Sequence, residues 1–110
     1  MIKQIKTSQE FEELTEDFRT LDVWTFGPLV DLDDNEDGEI QVLTIEENGE
    51  TVAYLIAEGS DLWHIESKYQ GRGYAKQLIE AAGIEFVYEV CSDEGVALCE
   101  ALNLEYEDCR

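Results

Sequence analysis

The 110-residue sequence predicts a single α/β domain, spanning residues 1–110, in which strands and helices stack in layers. Three observations predict it. Apolar residues recur at helical spacing in three stretches, runs rich in β-branched and aromatic residues lie between them, and glycine or asparagine marks the junctions. With 44% apolar residues, a chain of this length can bury one modest core.

Taken in order, Met1–Lys6 reads as a short strand. Thr7-Ser8-Gln9-Glu10 is a capping box, in which Thr7 caps a helix and Glu10 reaches back. Phe11, Leu14, Phe18 and Leu21 then recur on one helical face. Residues 22–39 read as irregular, with the only proline, Pro28, and a run of acids from Asp31 to Glu39. Ile40–Ile45 and Thr51–Ile56 form a hairpin around Asn48-Gly49, with Glu46, Glu47 and Glu50 lengthening its loop beyond the tightest form. Leu62–Glu66 is the next strand. A glycine turn, Tyr69 to Lys76, leads into a helix over Tyr74–Ala82. Glu85–Val90 reads as a strand, Asp93–Leu102 as a helix capped at Ser92 or Asp93, and Leu104–Cys109 as an edge strand. An exposed edge invites pairing, so a homodimer through this last strand is one expectation.

The order strand, glycine turn, helix at Leu62–Ala82 is a candidate anion cradle. Glycines let the backbone take conformations closed to other residues, and the first helical turn presents N–H groups in search of an acceptor. Charge strengthens the reading. The chain carries 27 acidic and 7 basic residues, net −20, yet Lys68, Arg72 and Lys76 all lie beside this turn. In so acidic a chain, a local basic cluster at a helix start points to an anionic ligand.

The segment Ile65-Glu66-Ser67-Lys68-Tyr69-Gln70-Gly71-Arg72-Gly73-Tyr74-Ala75 resembles the acetyl-CoA motif of the GNAT N-acetyltransferase superfamily, Gln/Arg-x-x-Gly-x-Gly/Ala after a hydrophobic strand. Gln70, Gly73 and Ala75 carry the match, and Tyr69, Gly71 and Arg72 are frequent family choices. The resemblance implies a GNAT-like fold, with a central mixed and mostly antiparallel sheet flanked by helices. It also implies acetyl-CoA as acyl donor. Gln70, Gly71, Arg72, Gly73, Tyr74 and Ala75 would then bind the CoA pyrophosphate, and Ile65 and Glu66 the pantetheine arm. The element order resembles the family's from end to end. Against the family pattern the chain lacks a second helix before the hairpin and a full pair of C-terminal strands, which implies an open acceptor site.

Acyl transfer to an amine needs a route for the amine proton and a donor for the departing thiolate. Family members often use a tyrosine on the last helix as that donor, in a pattern resembling Ala-Leu-Tyr-Glu-x-Leu-Gly-Phe. Here the stretch is Ala97-Leu98-Cys99-Glu100-Ala101-Leu102-Asn103-Leu104, with Cys99 at the tyrosine position. A thiol with a reference pKa of about 8.5 can donate a proton, and it can equally be a small buried apolar residue. Asn103 replaces the family's glycine and tolerates the left-handed conformation after a helix. For the base, His64 and Glu66 stand two apart on one strand and so share a face. His64 is the only histidine, with a reference pKa of about 6.5. By analogy with the family's strand carboxylates, Glu66 is the base, while both also fit plain strand positions.

Asp33-x-Asn35-x-Asp37-Gly38 has the spacing of half a calcium loop, but the twelfth position is Thr44 and the downstream flank reads as strand. A solvated acidic turn is the expectation, with no metal. Cys91, Cys99 and Cys109 are an odd number without metal-type spacing, which fits reduced thiols and a cytoplasmic address. Neither an apolar run long enough to span a membrane nor a signal peptide is apparent. The net charge of −20 repels nucleic acid and anionic membranes and attracts cations, so a cationic amine, such as a polyamine or a lysine-rich protein, is the expected acceptor. The alternative is a non-catalytic acidic binding protein on a GNAT-like scaffold, covering a basic partner surface.

Overall fold

The computed structural model describes residues 2–18, 32, 40–69, 72–90 and 93–109. Among them, six strands form one sheet whose order follows the sequence: β1 (Ile2–Ile5), β2 (Ile40–Glu47), β3 (Glu50–Glu58), β4 (Asp61–Ser67), β5 (Phe86–Val90) and β6 (Glu105–Asp108). The described helices are α1 (Ser8–Asp17), α2 (Tyr74–Ala82) and α3 (Asp93–Ala101). Strands β1 to β4 pair antiparallel, whereas β4–β5 and β5–β6 pair parallel through crossovers carrying α2 and α3. The chain thus has the expected α/β class, a mixed and mostly antiparallel sheet flanked by helices. None of the described helices is long and apolar enough to cross a membrane.

Each helix follows from local signals. At α1, Thr7 is the N-cap, and its Oγ1 accepts from the Glu10 amide at 3.2 Å. The return contact of the box differs from the expected one: the Thr7 hydroxyl also donates to Glu10 Oε1 at 3.2 Å, and Glu10 Oε2 is 3.5 Å from Lys3 Nζ, tying the helix to β1. Phe11, Leu14 and Phe18 are buried as their spacing predicts, while Leu21 lies outside the described residues, as do 22–31 and 33–39. At the other end, Asn103 takes φ +56° after α3, and the Leu104 amide donates back to the Cys99 carbonyl at 2.9 Å. This is the left-handed helix exit that asparagine was expected to supply.

The hairpin corrects one expectation. Its strands run to Glu47 and from Glu50, which face each other, so the loop is only Asn48-Gly49, with φ +55° and +79°. Two successive positive φ values make a type I′ turn, the tightest form, whose twist matches that of the strands. The glutamates therefore lie within the ladder, and a bulge at Val52 absorbs the register change between Ile45 and Glu46.

Strand β3 is buried from Val52 to Ala57, because both of its faces are covered. On one face Tyr54 and Ile56 pack with Val42, Phe11, Leu14 and Phe18 of the α1 layer. On the other, Ala53, Leu55 and Ala57 pack with Leu62, Leu78, Ile79 and Cys99 of the α2–α3 layer. Strand β6 forms one edge of the sheet, as expected.

Candidate active site

Strands β4 and β5 are joined by only two ladder pairs, Asp61 with Phe86 and Leu62 with Val87. Beyond them the ladder stops. Opposite β3, Ile56 pairs with His64 while Ala57 pairs with Leu62, so Trp63 is the extra residue of a bulge. A bulge bends its strand and increases its twist, and this one sits where β4 parts from β5. The resulting wedge encloses a cavity of about 210 Å³ lined by residues including Trp63, His64, Ile65, Tyr88 and Cys99. Trp63 and Tyr88 stack across its mouth, with ring centres 4.8 Å apart.

At the end of β4 the chain turns into α2. Gly73 is the N-cap, at φ +75° and ψ 14°, and no side chain caps the helix. The first helical hydrogen bond runs from the Gln77 amide to the Gly73 carbonyl at 3.1 Å. The amides of Tyr74, Ala75 and Lys76 precede it and so have no acceptor within the helix. No acidic residue lies in that first turn, so the positive end of the helix is not neutralised by its own side chains. A groove of about 320 Å³ opens beside it, bordered by Ile65, Glu66, Ser67 and Ala75.

Of the expected cofactor set, Ile65, Glu66 and Ala75 border this groove and Arg72, Gly73 and Tyr74 lie at the start of α2, whereas Gln70 and Gly71 lie outside the described residues. Tyr74 offers that groove only its backbone, since its side chain is buried in the core with Leu78 and Ile79. The basic neighbours divide. Arg72 is exposed and lies over the Tyr69 ring, 5.0 Å from its centre, and Lys76 is exposed and 4.0 Å from Glu80. Lys68, in contrast, reaches over the Phe18 ring of the α1 layer and pairs with Glu50 at 3.5 Å. Nearness in sequence did not reveal that it turns to the other face.

His64 and Glu66 do share a face, opposite Ile56 and Tyr54 and therefore on the α1 side. Tyr54 Oη donates to Glu66 Oε2 at 3.1 Å, and the Tyr54 ring centre is 5.5 Å from that of His64. Burial pushes the His64 imidazole below its ordinary pKa, and the Glu66 charge pulls it part of the way back. His64 is thus neutral at neutral pH. Cys99 is buried among the residues of the α2–α3 side and lines the wedge. Burial raises its thiol pKa, a backbone hydrogen bond opposes the shift, and Glu100 adds to it. The candidate proton carriers therefore lie on opposite faces of the sheet, His64 and Glu66 on the α1 side and Cys99 on the α2–α3 side.

Sequence reading missed Tyr54, Trp63 and Tyr88. A tyrosine inside the apolar run Val52–Ile56 was the available signal for Tyr54, because a buried hydroxyl needs a partner. No pattern marked Trp63 or Tyr88, which meet only because the strands splay. Among the described residues no group of three or more His, Cys, Asp or Glu could hold a metal ion. The half calcium loop, Asp33 to Gly38, lies outside them. Its twelfth position, Thr44, is a buried β2 residue whose hydroxyl donates to the Lys3 carbonyl at 3.4 Å.

No protein-family model matches the chain, and no curated protein sequence does. Among solved structures, the crystal structure of a ribosomal-protein-alanine N-acetyltransferase from Brucella melitensis biovar Abortus 2308 is similar to it. The TM-score is 0.63 and the identity 16%, over 93% of this chain and 89% of that one. At this identity the likeness is one of fold. The chain shares the fold of that structure, a mixed sheet flanked by helices, which is the fold that the segment around Gln70, Gly73 and Ala75 implied.

Proposed function

We propose that this chain is an acetyl-CoA-dependent N-acetyltransferase acting on the amine of a cationic acceptor, a lysine-rich protein or a polyamine. The observation that carries the reading is the uncapped start of α2 at Gly73, opening at the end of two strands that part after two ladder pairs. A helix N-terminus with Arg72 and Lys76 beside it suits a pyrophosphate, and the wedge gives an extended arm a slot leading inward. The residues present fit the cofactor: at Gly73 an added Cβ would meet nothing closer than Gln77 Nε2 at 4.0 Å, so the backbone is open to approach.

Acetyl-CoA supplies the acyl group as a thioester. As the amine forms its C–N bond and the C–S bond breaks, one proton must leave the nitrogen and one must reach the sulfur. Glu66, on the α1 face, would take the first and release it to solvent, and the Cys99 thiol, protonated at neutral pH and on the opposite face, would donate the second and regain one from solvent. The net charge of −20 favours a cationic acceptor. The similar crystal structure is of an enzyme named for an alanine of a ribosomal protein, which makes a protein amine the first acceptor to try. A cytoplasmic location fits the same reading.

The second reading, an acidic binding protein without turnover, is favoured by Cys99 itself, whose burial makes it a reluctant proton donor. Calorimetric titration of acetyl-CoA into the chain and into Gly73→Glu separates the two. Binding to the parent and not to the variant, with acetyl transfer to spermidine or a lysine-rich peptide, supports the enzyme. Binding without transfer leaves the second reading, and no binding removes the first.

A further inference from the structure

We propose that Tyr54 is a positioning residue that holds Glu66 in place as the base, an inference that rests on the acetyltransferase reading of the same site. Tyr54 and Glu66 are opposed in the β3–β4 ladder, so their side chains rise from neighbouring points on one face. The Tyr54 ring is fully buried, at 0% exposure. Phe18 meets it at 4.6 Å between ring centres and 72° between planes, and His64 at 5.5 Å. A ring packed in this way has almost no freedom, and its hydroxyl is in effect a fixed point.

From that point Tyr54 Oη donates to Glu66 Oε2 at 3.1 Å. Glutamate has three rotatable side-chain bonds and is only half-buried here, so a hydrogen bond from a fixed hydroxyl narrows the rotamers that its carboxylate samples. The nearest cation along the chain, Lys68, is paired with Glu50 and lies over Phe18. Phe18 caps the C-terminal end of α1, so the seating of that helix bears on the carboxylate through the Phe18 and Tyr54 rings. A base must stand within hydrogen-bond reach of the amine it deprotonates, and small displacements are costly. Tyr54 touches neither substrate in this scheme and acts through Glu66.

The test is a double-mutant cycle with Tyr54→Phe, Glu66→Ala and the two combined, read in two ways. In steady-state acetylation of spermidine or a lysine-rich peptide, Tyr54→Phe is expected to lower kcat about tenfold with the KM for acetyl-CoA unchanged. In the Glu66→Ala background it should change kcat no further. Without acetyl-CoA, the melting temperatures of the four proteins should be non-additive, since either change alone removes the same hydrogen bond. An equal loss of kcat in both backgrounds, or additive melting losses, overturns the positioning role and leaves the acetyltransferase reading standing. A parent chain that binds acetyl-CoA but acetylates neither probe overturns both.

Discussion

Trp63 and Tyr88 stack across the point where β4 and β5 separate, with ring centres 4.8 Å apart and planes 22° from parallel. Phe86 meets Tyr88 edge-on, at 4.8 Å and 72°. The last ladder pair, Leu62 with Val87, lies just behind them, so the rings continue the link between the strands after the backbone bonds have ended. An aromatic pair of this kind contributes about 0.5–1.5 kcal/mol beyond burial. Trp63 is 41% exposed, so the burial contribution itself is partial. Trp63→Ala is expected to cost about 1–2 kcal/mol in all, and Trp63→Phe about half of that. Thermal unfolding followed by circular dichroism should show a loss of several degrees for the alanine variant; a melting temperature equal to the parent's would mean that the stack carries no load.

Gly73 separates conformational strain from crowding. Its φ of +75° is unfavourable for any residue with a Cβ, yet the space around it is open, the nearest atom being Gln77 Nε2 at 4.0 Å. The cost of Gly73→Ala is therefore backbone strain alone, about 1–2 kcal/mol. Asparagine tolerates the left-handed region better than alanine does, so Gly73→Asn should be the more stable variant despite its larger side chain. Urea unfolding of the two variants decides the matter. If asparagine proves worse than alanine, crowding and not φ is what reserves this position for glycine.

His64 should make stability depend on mild acid. Its folded pKa lies below the ordinary value of 6.5 because burial disfavours the charged ring, with Glu66 opposing in part. As pH falls from neutral, the unfolded chain takes up this proton before the folded chain does. The unfolded state then binds more protons, and stability falls with falling pH, starting near pH 6.5 and ending below the folded pKa. Mild acid acts on the rest of the chain as well, so the comparison must be a difference. Subtracting the pH profile of His64→Asn from that of the parent should leave a drop confined to that window. A flat difference would show that the ring titrates as it does in the unfolded chain.

Much of this architecture is legible in the sequence, because its elements are delimited by residues with few alternatives. Thr7 with Glu10, Asn48-Gly49, Gly73 and Asn103 each fix a boundary through a cap or a positive φ. Helix α2 begins and ends where its spacing predicts, at Tyr74 and Ala82. What misled was charge taken as a loop signal: Glu46, Glu47 and Glu50 are strand residues, since the tip of a two-stranded hairpin can expose both faces to water. The candidate site was legible only where it is local. The glycine turn is contiguous, and the shared face of His64 and Glu66 follows from strand alternation. Tyr54 beside Glu66 depends on ladder register, and Trp63 against Tyr88 on a bulge followed by splayed strands. Neither is a property of any short window of sequence.

Cys99 allows a chemical test that does not depend on knowing the acceptor. Its side chain is buried and its thiol pKa is raised by that burial, whereas Cys109 is exposed. The thiolate is the reactive form, so Cys99 is doubly protected, by access and by protonation. Timed iodoacetamide treatment at neutral pH with peptide mass mapping should show Cys109 modified at least about 100-fold faster than Cys99. Denaturant should abolish the difference. Because Cys99 lines the wedge cavity, acetyl-CoA at saturation should slow its residual reaction further, while coenzyme bound elsewhere would leave that rate unchanged. Equal rates for the two cysteines in the folded chain would place Cys99 in an open, solvated position and remove the buried-donor role assigned to it.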